Sequence, residues 1–296
     1  VRVILIGSSG RIGRAVFSAL TRDHSVLGID HSPFATTRIV GDFTDPAVVS
    51  RAMDGAEAVI LTAALHAPHV GIVSDAEFER INVEGTARLI DATRASGVRR
   101  IVFTSTTALY GRAIVKGRCT WVDEDTPPQP ESIYHRTKLA AENLLEDAAT
   151  GGLAVRILRM SRCFPQTADV MAAYRLHRGI DARDVADAHR LALENDGDAF
   201  ERYVVSGSTP FEPGDCDALA TDPAAVIEQR VPALAGLFRT RGWHLPSAID
   251  RVYAPRLAER RLVWKATYGF EEVVAQLDRR SLEVLPVGAD VAERAE

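Results

Sequence analysis

Short, nearly unbroken apolar runs recur at residues 1–6, 25–29, 38–40, 58–61, 100–104 and 153–158, and amphipathic stretches fill most of the gaps, the longest at 75–96 and 132–149. A strand covered on both faces reads as a continuous run of Val, Ile and Leu rather than as an alternation, and that occurs where helices flank a parallel sheet. The pattern therefore predicts a doubly wound, Rossmann-like α/β domain over 1–160. After Arg159 the rhythm changes. Residues 179–182 and 202–205 are expected to be short strands around a helix at 184–195, so that segments near 179–205 complete the sheet. The remainder, 161–178 and 206–296, is rich in Pro, Asp and Arg with helical pieces near 223–230 and 270–279. It is expected to form a smaller C-terminal substrate-binding cap, with a loosely ordered tail at 286–296.

Composition narrows the functional classes. A chain of 296 residues with 46% hydrophobic content can bury a core for one large domain with a cap. With 35 basic against 40 acidic residues the net charge is -5, which gives no footprint for nucleic acid. The chain opens directly on an apolar run without a charged leader, and no run is long enough to cross a bilayer, so a cytoplasmic protein without a membrane partner is expected. Cys119, Cys163 and Cys216 are few and far apart, which argues for buried or half-buried thiols rather than disulfides or a metal knuckle. His66 and His69 have helix-like spacing, but Pro68 interrupts it and no third ligand is near, so a loop contacting substrate is expected and no metal.

The chemistry begins at the first strand-to-helix junction, Gly7-Ser8-Ser9-Gly10-Arg11-Ile12-Gly13. Glycine is needed where the chain turns sharply, where backbone approaches a pyrophosphate and where helix packs on strand; the helix N-terminus adds partial positive charge. Asp30 closes the second strand, where a carboxylate accepts from adenosine ribose hydroxyls and repels a 2′-phosphate. NAD is therefore expected, with His31, Ser32 and Arg38 close enough to admit NADP. Tyr134 and Lys138 stand four apart, on one face of a helix. A free phenol ionises near pH 10, so it serves as a base only beside positive charge, which the lysine supplies.

These residues resemble the extended short-chain dehydrogenase/reductase superfamily, in its NAD-dependent epimerase/dehydratase branch. The resemblance spans nearly the whole chain and rests on the glycine turn, Gly41-Asp42-Phe43-Thr44-Asp45, Thr62-Ala63-Ala64, Asn82-Val83-Glu84-Gly85-Thr86, the Thr104-to-Gly111 segment, Tyr134-His135-Arg136-Thr137-Lys138 and Arg183-Asp184-Val185-Ala186. It implies Tyr134 as acid/base, Lys138 as its partner and holder of the nicotinamide ribose, and Thr106 as the hydroxyl on the reacting oxygen, with Ser105 its competitor. It further implies a cofactor site of Gly7, Ser9, Gly10, Arg11, Ile12, Gly13, Asp30, His31, Asp42, Phe43, Thr62, Ala63, Ala64, Asn82 and Thr104. The short connection over 165–181 resembles uronate dehydrogenases, which act on free sugars, and implies a substrate side of Ser105, Thr106, His66, Arg162 and Arg175, with Arg178 a rival to the last. The expected activity is reversible hydride transfer between NAD and a hydroxyl or ketone of a carbohydrate-like small molecule. Alternatives are a sugar-nucleotide 4-epimerase or dehydratase with retained NAD and, from another class, a non-catalytic dinucleotide-binding sensor. A homodimer is the oligomeric form left open.

Overall fold

The computed structural model describes residues 1–289. Its strands are β1 (Arg2–Ile6), β2 (Ser25–Asp30), β3 (Ile39–Val40), β4 (Ala58–Leu61), β5 (Arg100–Thr106), β6 (Thr120–Val122), β7 (Ala154–Met160), β8 (Phe200–Val205) and β9 (Arg251–Tyr253). Among the described residues, seven of them form one sheet in the order β3-β2-β1-β4-β5-β7-β8. Every pairing in it is parallel. Successive side chains of a strand point to opposite faces, and here both faces are covered. Ile4, Ile6, Val59, Leu61, Ile101 and Phe103 meet Val49, Leu89, Ile90 and Leu145 of the helices Pro46–Met53, Gly85–Ala95 and Ile133–Ala149. Val3, Leu5, Ile60, Val102 and Leu158 meet Val16, Leu20, Val185 and Ala188 of Arg11–Leu20 and Ala182–Glu194. This two-sided burial is why the strands read as continuous apolar runs, and the doubly wound expectation is met.

The strand order reverses between β1 and β4, so the loops leaving their C-terminal ends diverge and open a crevice, the usual ligand position in such sheets. The structure departs from the expected elements at two places. Residues 179–182 are not a sheet strand: Gly179 makes a single bridge to Arg162, and Asp181 then starts the helix Ala182–Glu194 by accepting from Arg183 N–H. An N-cap aspartate ends the extended segment there. The stretch 75–96 is helical but interrupted, with a wide π turn at Glu79–Glu84 between Asp75–Phe78 and Gly85–Ala95.

A further hydrophobic cluster gathers Met171, Phe211, Leu234, Phe238, Phe270 and Val273 from the later helices. The helix Ala168–Tyr174 packs against Phe270–Asp278 in it. β6 and β9 pair in parallel outside the main sheet and tie the chain beyond β5 to this region. Of the tail at 286–296, residues 286–289 close a turn through Ala289 N–H to Pro286 O, and residues 290–296 lie outside the described residues. No helix among the described residues is long and apolar enough to cross a membrane. Cys163 is buried, Cys119 and Cys216 are half-buried, and all three are free thiols.

Candidate active site

The glycine turn is built by close approach. Gly7 has φ +92°, and a side chain there would stand 2.5 Å from Ala63 N and from Thr62 Oγ1. A Cβ on Gly13 would fall 1.9 Å from Gly7 O, so the helix Arg11–Leu20 rests directly on the turn. No side chain caps that helix, and Arg11, Ile12 and Gly13 of its first turn line a cavity of about 670 Å³. That volume lies in the range of small-molecule sites. The same cavity is lined by Gly7, Ser9, Gly10, Asp30, His31, Asp42, Phe43, Thr62, Ala63, Ala64, Thr104, Tyr134 and Lys138.

Asp30, only 7% exposed, is fixed by Ser9 N–H at 2.9 Å and Ser32 N–H at 3.0 Å, with the exposed His31 ring at 3.0 Å. Asp42 accepts from Thr44 N–H at 2.8 Å and pairs with Arg80 at 3.2 Å. Partial burial acts to raise its carboxyl, but Thr44 and Arg80 together hold it below the ordinary value.

The catalytic candidates come from one helix and one strand end. Ser132 Oγ accepts from His135 N–H at 3.2 Å and starts the helix Ile133–Ala149, which carries Tyr134 and Lys138. Tyr134 is half-exposed on the cavity wall, whereas Lys138 is buried, with Nζ donating to Thr104 O at 2.7 Å and lying 3.8 Å from the Phe103 ring centre. Burial pushes the Lys138 amine down to about 7, against the attraction of Glu142. Thr106 ends β5; its Oγ1 accepts from Ala108 N–H at 3.1 Å, which leaves its own O–H to donate.

The structure separates the two competing hydroxyls. Ser105 stands on the cavity wall, but its Oγ donates to Glu142 Oε1 at 2.5 Å, so its proton is spent inside the protein rather than on a ligand. Thr104 likewise turns its hydroxyl to His189 Nε2 at 2.7 Å.

Two expected site residues do not line the cavity. Asn82 spends its amide on Leu65, accepting from N–H and donating to O at 2.9 Å each, and donates to Thr137 Oγ1 at 3.1 Å. It thus fastens the loop after β4 to the helix Ile133–Ala149. Arg175 is buried and donates to Asp181 Oδ2 at 3.1 Å, facing the start of the next helix. Arg178, three residues on, lines the cavity with Arg162 and His66. The His66 ring stacks on Phe164 at 5.8 Å and meets His69 edge-on at 4.7 Å. Among the described residues no group of three or more His, Cys, Asp or Glu side chains could hold a metal ion.

Arg80, Phe164 and Tyr253 also line the cavity and were not among the expected site residues. Tyr253 enters only because β9 pairs with β6, a contact that no local pattern announces. Arg11 crosses from the glycine turn to donate to Cys163 O at 2.7 Å and to pair with Glu283.

Residues 3–170, more than half of the chain, match the NAD dependent epimerase/dehydratase family, and the protein belongs to it. The sequence is similar to the N-acetyl-alpha-D-glucosaminyl-diphospho-ditrans,octacis-undecaprenol 4-epimerase of Escherichia coli O157:H7, 30% identical over 49% of this chain and 43% of that one. It is also similar to the 4-hydroxy-2-methyl-3-oxo-4-farnesyl-3,4-dihydroquinoline-1-oxide ketoreductase of Stigmatella aurantiaca, 31% identical over 72% of this chain and 70% of that one. The chain spans about half the length, or somewhat less, of several other relatives it matches. The fold is similar to that of a short-chain dehydrogenase/reductase superfamily protein from Agrobacterium tumefaciens solved with bound NAD, at a TM-score of 0.71, 22% identity and coverage of 95% of this chain and 97% of that one.

Proposed function

We propose that this family member is an oxidoreductase that uses NAD to move a hydride to or from a hydroxyl- or ketone-bearing carbon of a carbohydrate-like small molecule. The observation that carries the reading is the presence of Tyr134, Lys138 and Thr106 on the wall of the same cavity as the glycine turn and Asp30. The residues fit a dinucleotide. A helix N-terminus without a side-chain cap lines the cavity beside glycines that admit close backbone approach, which suits a pyrophosphate, and the anchored Asp30 carboxylate suits ribose hydroxyls. Bound nicotinamide supplies the hydride acceptor or donor. Thr106 Oγ–H donates to the substrate oxygen, Tyr134 takes or returns the proton on it, and Lys138 stabilises the phenolate.

Cofactor choice gives a direct test of Asp30. The carboxylate is held by two backbone N–H groups, so it cannot swing away from an added phosphate. NAD(H) is expected to bind more tightly than NADP(H). Asp30→Ala should weaken NAD by about 10–100-fold, the worth of charged hydrogen bonds, and narrow the gap. Titration of both cofactors against both proteins checks this; an NADP(H) preference in the unaltered protein overturns it.

On the substrate side, the connection over 165–181 is consumed by packing. Ala168, Met171 and Ala172 are buried in the later-helix cluster, which leaves little chain to enclose a nucleotide diphosphate, while Arg162 and Arg178 bring positive charge to the cavity. Hydride transfer is expected with free or glycosidic sugars, uronates foremost, and not with UDP, GDP or dTDP conjugates. A panel of both classes, followed at the reduced-nicotinamide absorbance band, decides. Redox-neutral conversion of a sugar nucleotide to its 4-epimer would establish the epimerase reading, which the similarity to a 4-epimerase supports. Tight NAD binding without turnover of any carbonyl or alcohol would leave a sensor.

A further inference from the structure

We infer that Glu142 is a positioning residue for the catalytic pair: its buried carboxylate, one turn beyond Lys138 on the same helix face, offers that lysine a counter-charge and locks the helix to the strand end that carries Thr106. This rests on the reading of Tyr134 and Lys138 as the acid/base pair.

Tyr134, Lys138 and Glu142 follow one another at four-residue steps, so they share one helix face. Glu142 is fully buried, yet its acceptor sites are filled. From β5, Ser105 Oγ donates to Oε1 at 2.5 Å. From β7, Arg159 Nε reaches both oxygens at 3.1 and 3.2 Å, and its Nη2 reaches Oε2 at 2.7 Å. From β8, Arg202 Nε stands 3.2 Å from Oε2. Arg159 Nη1 in turn donates to Tyr110 OH at 3.2 Å, and Tyr110 donates to Asp123 O at 3.0 Å. A carboxylate so surrounded is a negative charge held in one place beneath the site, with Arg159 and Arg202 partly offsetting it.

Lys138 needs one. Facing it are the Phe103 ring and the Thr104 carbonyl from β5, with Tyr134 and Glu142 on its own helix. Its burial opposes the cation, and Glu142 is the charged group that acts the other way. The buried Glu142–Arg159 pair could be exchanged for apolar side chains at little loss of stability. The pair's place, linking the catalytic helix to Ser105 next to Thr106, gives it a task beyond stability.

The chain contains only three lysines, and Lys116 and Lys265 are exposed, so each amine can be followed separately by NMR in uniformly lysine-labelled, cofactor-free protein. Lys138 is expected to titrate at about 7 in the unaltered protein. In Glu142→Gln it should titrate lower by about one unit or more, because an attractive charge has gone. In the same variant kcat should fall by about tenfold while cofactor KM stays put, and Glu142→Asp should restore both readouts in large part. An unmoved Lys138 titration in folded Glu142→Gln, with only the melting temperature lowered, would reduce Glu142 to a structural clamp and overturn the inference. Should that variant fail to fold with Arg159 left unpaired, Glu142→Leu/Arg159→Met is compared with Arg159→Met alone, so that the loss of the arginine charge cancels, and Lys138 must titrate lower in the double variant. If the titration shifts as expected but Tyr134→Phe retains full turnover, the acid/base reading fails while the Glu142–Lys138 coupling stands.

Discussion

Replacing Tyr134 by Phe is expected to lower turnover by about 10²–10⁴-fold, the range of general acid/base catalysis, in a protein that folds and binds NAD as before. The phenol is half-exposed on the cavity wall, so replacing it by a phenyl ring opens no void in the core. The ring remains to pack near His135, 6.0 Å away, and the helix keeps its Ser132 cap. What disappears is the proton, so kcat and kcat/KM should fall together, as they do when an interaction made only in the transition state is removed. Steady-state rates in both reaction directions, with a separate NAD titration, give the two numbers needed. Near-normal turnover in folded Tyr134→Phe would discard the mechanism and would point to Thr106 or to water as the proton carrier.

The elements legible in the sequence were those whose burial is symmetric and long. β1, β4, β5 and β7 lie in the middle of the sheet with helices on both sides, and their uninterrupted apolar runs followed from that. β6 and β9 have three residues each and take one another as partners across more than a hundred positions, so neither carries a period of its own. Tyr253 reached the cavity by that route. The Ser105–Thr106 ambiguity had a physical answer in strand parity: Ile101 and Phe103 face the helix Ile133–Ala149, and Ser105, in step with them, meets Glu142 on that helix. The parity was visible in the sequence, but the identity of the covering helix was not. Arg175 and Arg178 were likewise separable only once Asp181 had claimed the first as an ion-pair partner. Asn82 shows the remaining limit, since a motif residue can serve a site by holding its wall and make no contact with the cavity.

The glycines of the turn should fail in different ways when given a methyl group. At Gly13 the added carbon would lie 1.9 Å from Gly7 O and 2.7 Å from its carbonyl carbon, and both are backbone, so neither can turn aside. The helix Arg11–Leu20 would have to lift from β1, disturbing Val16 and Leu20 in the core they share with Val3 and Leu5. Gly13→Ala should therefore cost about 1–3 kcal/mol of stability, as overpacking does, and weaken NAD because the whole turn shifts. Gly10 has φ −67° and a Cβ there would meet only Gly7 O at 3.4 Å, so Gly10→Ala should leave the fold nearly unchanged. Yet Gly10 lines the cavity at the helix start, and the methyl would occupy space that a pyrophosphate needs, so NAD affinity should drop by about tenfold or more, equivalent to at least ~1.4 kcal/mol. Melting curves and NAD titrations on the two variants separate the effects. Equal losses of stability in both would overturn the steric account of Gly13, and unchanged NAD affinity in folded Gly10→Ala would remove the glycine turn from the cofactor site.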